Sequence, residues 1–309
     1  MKKLIFVLTY TEGPQWCQWY PINTYYNIFP KDCQIIILDN GNQDCMRDWA
    51  ERTNNLYHRS DNNLGTTGGY NWFIRVGELM SADRIAVMQA DVQILTPRVF
   101  DLLFHPQWQP LDFAYFPNMS RDLWNDDNTD SDVGQLFSLN PATFLDNDWL
   151  CDENYTITHF ESIDLWIRMT SDANVAKLRC HNLLEEFSAS AEEDLEFYKI
   201  HSITNVIGGE HDRWFKNNYE YFSEKWPQST SFTPEEAAKH WAEDTKYPEW
   251  GSDPWKSPWK GLREFWSPVL LHRRRLRTER NIKVGQLPYP VEWEVNRFYQ
   301  ALLSPTPKA

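Results

Sequence analysis

The sequence predicts an α/β fold: a mostly parallel central sheet with helices on both faces. Two observations carry this. Three short apolar runs, Leu4–Leu8, Gln34–Leu38 and Arg84–Met88, are near-continuous rather than alternating, as strands covered on both faces are. Stretches of helical character lie between them, and strand–helix alternation builds a parallel sheet whose ligands bind outside the carboxyl ends of the strands.

The first run follows Met1-Lys2-Lys3 and ends at Thr9-Tyr10-Thr11-Glu12. It imitates a secretion signal, but it is short and lacks a small-residue cleavage site, so it reads as a buried first strand. Gln15–Phe29 reads as a helix. The second run ends at Asp39-Asn40-Gly41-Asn42. Thr67–Leu79 is a further helix, with Trp72, Phe73, Val76 and Leu79 as its apolar residues. The third run ends at Gln89-Ala90-Asp91. Gly134–Leu139 reads as a strand, Pro141–Leu145 as a short helix, and Asn125–Asp132 as an acidic loop. Phe160–Met169 reads as a helix with Ile163, Trp166 and Ile167 on its apolar face, and Trp214–Lys225 as another. After Trp226-Pro227 the composition shifts. Residues 227–309 hold much of the proline, six Trp (241, 250, 255, 259, 266, 293) and the run Arg273-Arg274-Arg275-Leu276-Arg277. This is a Trp-rich C-terminal extension packed on the core.

A chain of 309 residues has ample length for one large domain or two. Aromatics reach 15%, with 16 Trp, which excludes disorder as the main state. Lys and Arg number 30 against 44 Asp and Glu, a net charge of −14. That disfavours non-specific nucleic-acid binding, which needs a cationic surface. No stretch approaches the ~18–20 apolar residues of a membrane span. Five cysteines (17, 33, 45, 151, 180) are odd in number and lack C-x-x-C spacing, so reduced thiols in the cytoplasm are expected rather than a disulfide framework or a zinc site.

Four constellations carry chemistry. Asp39-Asn40-Gly41 places a carboxylate at a strand end, although alone it reads as a plain turn. Asn62 to Asn71 holds Gly65, Gly68 and Gly69 just before a helix, where backbone can approach a ligand and amides can face an anion. It matches neither G-x-G-x-x-G nor a P-loop. Gln89-Ala90-Asp91 offers one carboxylate, and hard divalent cations take few protein carboxylates beside substrate phosphates. Glu161 and Asp164 are three residues apart, so they share one face of a helix.

Each piece alone is bland; their order is specific. Over about residues 3–226 the set resembles the family 2 glycosyltransferases of the GT-A fold, of a rhamnosyltransferase-like kind. Thr9-Tyr10 stands at the end of the first strand and Asp39-Asn40-Gly41-Asn42 at the end of the second. Asn63-Leu64-Gly65 to Asn71 follows, then Gln89-Ala90-Asp91-Val92 at the metal motif. Downstream come Cys151-Asp152-Glu153-Asn154-Tyr155, Glu161-Ser162-Ile163-Asp164-Leu165-Trp166-Ile167-Arg168, His201, and Tyr221-Phe222-Ser223-Glu224-Lys225-Trp226. Two positions depart: Gln89 replaces the first acid of the metal motif, and Ser162 stands where the family usually places its catalytic Asp.

The resemblance implies an inverting, metal-dependent transfer of a sugar from a nucleotide diphosphate donor to an acceptor hydroxyl. Thr9, Tyr10, Glu12, Asp39, Asn63, Gly65, Asn71 and Gln89 would hold the nucleotide. Asp91 and His201 would serve Mn²⁺ or Mg²⁺. Glu161 would be the base, with Asp164 the second candidate. The implied division is a nucleotide-sugar half (1–100), an acceptor and catalytic half (101–226) and the extension (227–309). A UDP- or dTDP-type donor is expected, with a saccharide or glycolipid acceptor, in the cytoplasm or peripheral to a membrane. Two alternatives stand beside it. Ser162 points to a catalytically inactive GT-A module that binds a nucleotide or glycan. Arg273–Arg277 points to an acceptor that is a hydroxymethylated base in DNA.

Overall fold

A computed structural model describes residues 1–9, 28–41, 44–61, 63–90, 92–116, 135–155, 161–162, 164–165, 169, 178–183, 186, 198–200, 210–225 and 291–304. In chain order the elements are β1 (Lys3–Thr9), β2 (Gln34–Asp39), α1 (Asp44–Arg52), β3 (Leu56–Arg59), α2 (Gly65–Leu79), β4 (Arg84–Gln89) and β5 (Val92–Ile94). There follow α3 (Arg98–Leu103), β6 (Asp112–Phe116), β7 (Leu136–Leu139), α4 (Pro141–Asp146), β8 (Arg179–Asn182), β9 (Tyr198–Ile200), α5 (Glu210–Lys225) and α6 (Val291–Leu303). Among the described residues one sheet has seven strands in the order β3-β2-β1-β4-β7-β6-β8, and β5 pairs with β9 apart from it.

The sheet is mostly parallel, as expected. β1 lies parallel to β2 and β4, and β2 to β3. Only β7 runs against its neighbours β4 and β6. Alternate residues of a strand point to opposite faces, and both faces are covered. Ile5, Val7, Ile35, Ile37, Ala86 and Met88 meet α1 through Met46 and Trp49, and α3 through Phe100 and Leu103. Leu4, Phe6, Ile36, Leu38, Ile85 and Val87 meet α2 through Trp72, Phe73 and Val76, and α4 through Phe144.

The buried runs read from sequence are strands, each extended by one residue at its carboxyl end, and the reading of Thr67–Leu79 falls within α2. Residues Glu161, Ser162, Asp164, Leu165 and Met169, the described part of the Phe160–Met169 stretch, are helical. The expected helix Gln15–Phe29 lies outside the described residues except for its last two. The acidic loop Asn125–Asp132 and the basic run Arg273–Arg277 lie outside them too. One expectation is corrected: Cys45 is disulfide-bonded, whereas Cys33, Cys151 and Cys180 are free. Pairing follows the separation of Cα atoms in space, which spacing along the chain does not encode. No described helix is long and apolar enough to cross a membrane.

The described part of the C-terminal extension is α6, and it packs on α2. Val291 and Phe298 join the apolar cluster of Trp72 and Phe73. The His58 ring of β3 stacks on Trp72 at 5.3 Å, with Phe298 edge-on to both rings. Within this apolar contact lies one carboxylate, Glu294, with 0% exposure. It accepts hydrogen bonds from His58 Nε2 at 2.8 Å and from the Asp61 backbone N–H at 2.9 Å. Burial pushes the Glu294 carboxyl up, but the His58 bond, the Asp61 amide and the charges of His58 and Arg297 outweigh it and hold the carboxyl below the ordinary value of 4.5.

The sign of the linkage follows from that direction. The folded chain binds this proton more weakly than the unfolded chain, so the stabilisation is complete above the unfolded value. It is lost as pH falls through the folded one. Glu294→Gln removes this contribution. Chemical denaturation at about pH 7 and about pH 4 should therefore show a smaller acid-induced loss of stability in the variant than in the wild type.

Candidate active site

Parallel register brings four strand ends to one edge. Thr9 of β1 stands opposite Asp39 of β2, Asp39 opposite Arg59 of β3, and Gln89 of β4 beside Leu8 of β1. Asp39 is wholly buried. A buried carboxylate is costly unless it is hydrogen-bonded and paired, and Asp39 is both. Its Oδ1 accepts from Thr9 Oγ1 at 3.3 Å and from the Gly41 N–H at 2.9 Å. Its Oδ2 accepts from the Tyr57 hydroxyl at 2.5 Å and lies 3.5 Å from Arg59 Nε. Arg59 also donates to Asp44 at 2.9 Å. Burial, and then the bond to Asp39, push the Tyr57 hydroxyl above the usual tyrosine range.

The next residue, Asn40, fastens the Gly-rich loop above this edge. Its Oδ1 accepts from the Leu64 N–H at 3.3 Å and from Ser60 Oγ at 3.1 Å, while Nδ2 donates to the Gly65 carbonyl at 3.0 Å. Gly65 has φ of 65°, a left-handed conformation that glycine adopts without penalty. Its N–H donates to Asn63 Oδ1 at 2.8 Å. One turn on, a Cβ at Gly69 would lie 2.7 Å from Leu8 Cδ1. The missing side chain lets α2 sit down on the end of β1. Gln89 Nε2 donates to the Tyr70 hydroxyl of α2 at 3.2 Å, which ties the end of β4 to the same helix.

α2 also reaches the acidic segment downstream. Asn71 is wholly buried. Its Nδ2 donates to the Cys151 carbonyl and to Glu153 Oε1, both at 3.0 Å, and its Oδ1 accepts from the Cys151 N–H at 2.8 Å. Beside Cys151, Asp152 accepts from the Tyr221 hydroxyl at 2.7 Å and from Lys225 Nζ. Lys225, the last residue of α5, lies 2.6 Å from Asp164 Oδ1 as well. The rings of Tyr155 and Tyr221 face its ammonium at 5.4 and 5.5 Å. Lys225, Asp152 and Asp164 are all largely buried. Burial raises the Asp152 carboxyl, but the Lys225 charge and the bonds from Lys225, Tyr221 and Asn154 outweigh that and hold it far below the carboxylate range. Glu161 is buried three residues before Asp164.

Of the residues singled out from sequence, Thr9, Asp39 and Gln89 form one row. Asn63 and Gly65 are fastened to it through Asn40. Asn71 faces the 151–155 segment, and Asp164 is joined to that segment through Lys225 and through Tyr155, whose hydroxyl is 3.4 Å away. Tyr10, Glu12, Asp91 and His201 lie outside the described residues. Sequence reasoning missed Asn40, Tyr57, Arg59 and Lys225 as parts of the site. Asn40 and Lys225 stood inside quoted motifs, and an Asn directly after a strand-ending Asp was the usable signal. Tyr57 and Arg59 stand in a short mixed segment that carries no periodicity.

Among the described residues no group of three or more His, Cys, Asp or Glu side chains is able to hold a metal ion. The residues that the resemblance assigns to the ion are Asp91, which falls between β4 and β5, and His201. Both lie outside the described residues.

No family model matches the chain, and no curated protein matches it. Solved structures of similar shape exist. TarS of S. aureus, residues 1–349 in complex with UDP, superposes with a TM-score of 0.48 at 14% identity, over 93% of this chain and 92% of that one. The mannosyltransferase PcManGT from Pyrobaculum calidifontis, in complex with GDP-Man and Mn²⁺, gives 0.45 at 11% identity, over 97% and 85%. GalNAc-T7 with UDP, GalNAc and Mn²⁺ gives 0.43 at 12% identity, over 78% of this chain and 54% of that one, so the chain spans about half of that protein.

Lys225→Met tests the acidic segment. It removes the cation that Asp152 and Asp164 share, which should cost about 3–5 kcal/mol at neutral pH. Without that cation, burial raises the Asp152 carboxyl, so the variant gains protons on folding as pH falls. The cost measured by urea unfolding should therefore shrink between about pH 7.5 and about pH 5.5. A pH-independent cost would place the destabilisation in packing alone.

Proposed function

We propose that this protein is an inverting, metal-dependent glycosyltransferase. It moves a sugar from a nucleoside diphosphate donor of the UDP or dTDP type to a hydroxyl of a saccharide or glycolipid acceptor. One observation carries the reading: Thr9, Asp39, Arg59 and Gln89 end four parallel strands under the Gly-rich start of α2, and α2 is bonded through Asn71 to a buried acidic segment. The carboxyl edge of a parallel sheet is where such folds bind nucleotides.

In this reading Thr9, Tyr10, Glu12 and Asp39 hold the base and ribose. Tyr57 and Arg59 act through Asp39 by fixing its carboxylate. Asn63 and Gly65 shape the loop above, and Gln89 borders the sugar-diphosphate. Asn71 acts indirectly by positioning the 151–155 segment. Glu161 is the general base. It takes the proton of the acceptor hydroxyl as that oxygen bonds to the anomeric carbon from one face. The bond from that carbon to the diphosphate breaks on the other face, with inversion. The transition state resembles an oxocarbenium ion, as in glycoside hydrolysis. Asp91 and His201 would hold a divalent ion, which would supply Lewis-acid neutralisation of the departing diphosphate. Asp164 is held by Lys225 and is the second candidate for the base.

Calorimetry with a panel of UDP- and dTDP-sugars in the presence of Mn²⁺ checks this. Binding of at least one donor is expected, and binding of none sinks the proposal. Glu161→Gln should leave donor affinity unchanged and lower transfer by ~10²–10⁴-fold. A variant that keeps the full rate moves the base elsewhere, with Asp164 next. Asp91→Ala should abolish the dependence of donor binding on the metal.

A further inference from the structure

Glu294 lies in sequence 233 residues beyond Asp61, whose backbone N–H it receives at 2.9 Å on Oε1. Its Oε2 accepts from His58 Nε2 and from Arg297 Nη1, each at 2.8 Å. Arg297 Nη1 in turn lies 2.8 Å from Asp61 Oδ1. One carboxylate and its arginine therefore grip two points of a single short path: His58 inside β3 and Asp61 just beyond its end. From Asp61 the chain runs to Asn63 and Gly65. Asn40 grips the path from the end of β2, at Ser60 before Asp61 and at Leu64 and Gly65 beyond it. The loop between β3 and α2 is thus pinned from two sides, by the sheet below and by the C-terminal helix.

Packing does not require an acid at this position. Val291, Phe298, Trp72 and His58 already make an apolar contact between α6 and α2, and an aliphatic side chain among them would avoid the desolvation cost of a buried charge. An aliphatic side chain would not hold the Asp61 amide in one direction. Buried hydrogen-bond networks select one geometry where apolar contact admits several. We propose that Glu294 is a positioning residue of the donor-nucleotide site: through Asp61 and His58 it sets the backbone of the loop that carries Asn63 and Gly65. The inference rests on reading the strand-end row as the nucleotide site. It gives the extension a task in the reaction without contact with the donor.

The test uses the full-length chain and two variants, Glu294→Leu and Glu292→Ala. Glu292 pairs with Arg75 of α2 at 2.7 Å, so its loss weakens the same docking contact without touching the loop. Two measurements are made: amide hydrogen exchange at Leu64 and Gly65, neither of which touches Glu294, and the Kd for UDP with Mn²⁺ together with donor KM and kcat. In Glu294→Leu, exchange at Leu64 and Gly65 should quicken and both Kd and KM should rise about tenfold, a change of about 1.4 kcal/mol, with kcat nearly unchanged. Glu292→Ala should leave all of these as in the wild type. If Glu294→Leu fails to fold, Glu294→Gln, which keeps the size and one acceptor, should show the same pattern at about threefold, or about 0.65 kcal/mol. Unchanged loop exchange, or an unchanged Kd for UDP in a folded variant, overturns the assignment while the proposed function stands. A wild-type chain that binds no nucleoside diphosphate overturns the function as well, and that outcome is read before any variant is made.

Discussion

Asp39 is a carboxylate with no exposed surface at the end of a central parallel strand, and its need for partners organises everything around it. An ionised group there is tolerated only if its oxygens are bonded and its charge is met. Thr9 comes from β1, Tyr57 and Arg59 from β3, and the Gly41 amide from the turn that follows β2. These groups arrive together only in one register, because a shift of one residue would send each side chain to the other face of the sheet. Once the register is set, Asn40 has one position, and the loop before α2 is fastened to it. The order of causes runs from a buried charge to a strand register to a loop shape.

α2 carries that order across the molecule. Its first turn lies over the strand ends because Gly65 takes a left-handed conformation and Gly69 leaves room for Leu8. Its middle bonds to the 151–155 segment through Asn71, and its outer face receives α6. Residues far apart in the chain, at 40, 89, 151 and 294, are connected to this helix directly or through one intermediate side chain. A helix that is buried along so much of its length tolerates little movement, since protein interiors are packed as densely as organic crystals. The two ends of the proposed site therefore share one rigid link.

Much of this was legible in the residues. β1, β2 and β4 announce themselves because strands covered on both faces are uninterrupted apolar runs, and α2 follows from its apolar residues beside a glycine cluster. The motif order around Asp39, Asn63 and Gln89 pointed to the same edge that the register assembles. β3 was not legible: Leu56-Tyr57-His58-Arg59 is short and mostly polar, and its polar residues bond to Asp39 and Glu294. α6 was hidden for a related reason. Its buried face includes Glu294, while Trp293 and Leu303 are about 60% exposed, so burial along this helix contradicts hydropathy. Lys225 stood in a quoted motif, but its role depends on Asp152 and Asp164 meeting at one point, and sequence separation carries no trace of that. On the same ground, Cys45 was expected to be a reduced thiol and is disulfide-bonded.

The net charge of −14 also takes on a different meaning once the pairings are known. Four buried or largely buried acids are matched locally: Asp39 by Arg59, Asp152 and Asp164 by Lys225, and Glu294 by His58 and Arg297. At the strand-end row the described cation is Arg59, and it is already shared between Asp39 and Asp44. Among the described residues of this edge, a diphosphate would compete with two carboxylates for that guanidinium. Charge interactions are strong where water is scarce, so drawing Arg59 away from Asp39 would take a charge partner from a buried carboxylate. A mobile divalent cation brought in with the donor avoids that conflict, because it adds positive charge without removing any from the frame. The proposed dependence on a metal fits this arrangement of paired acids among the described residues.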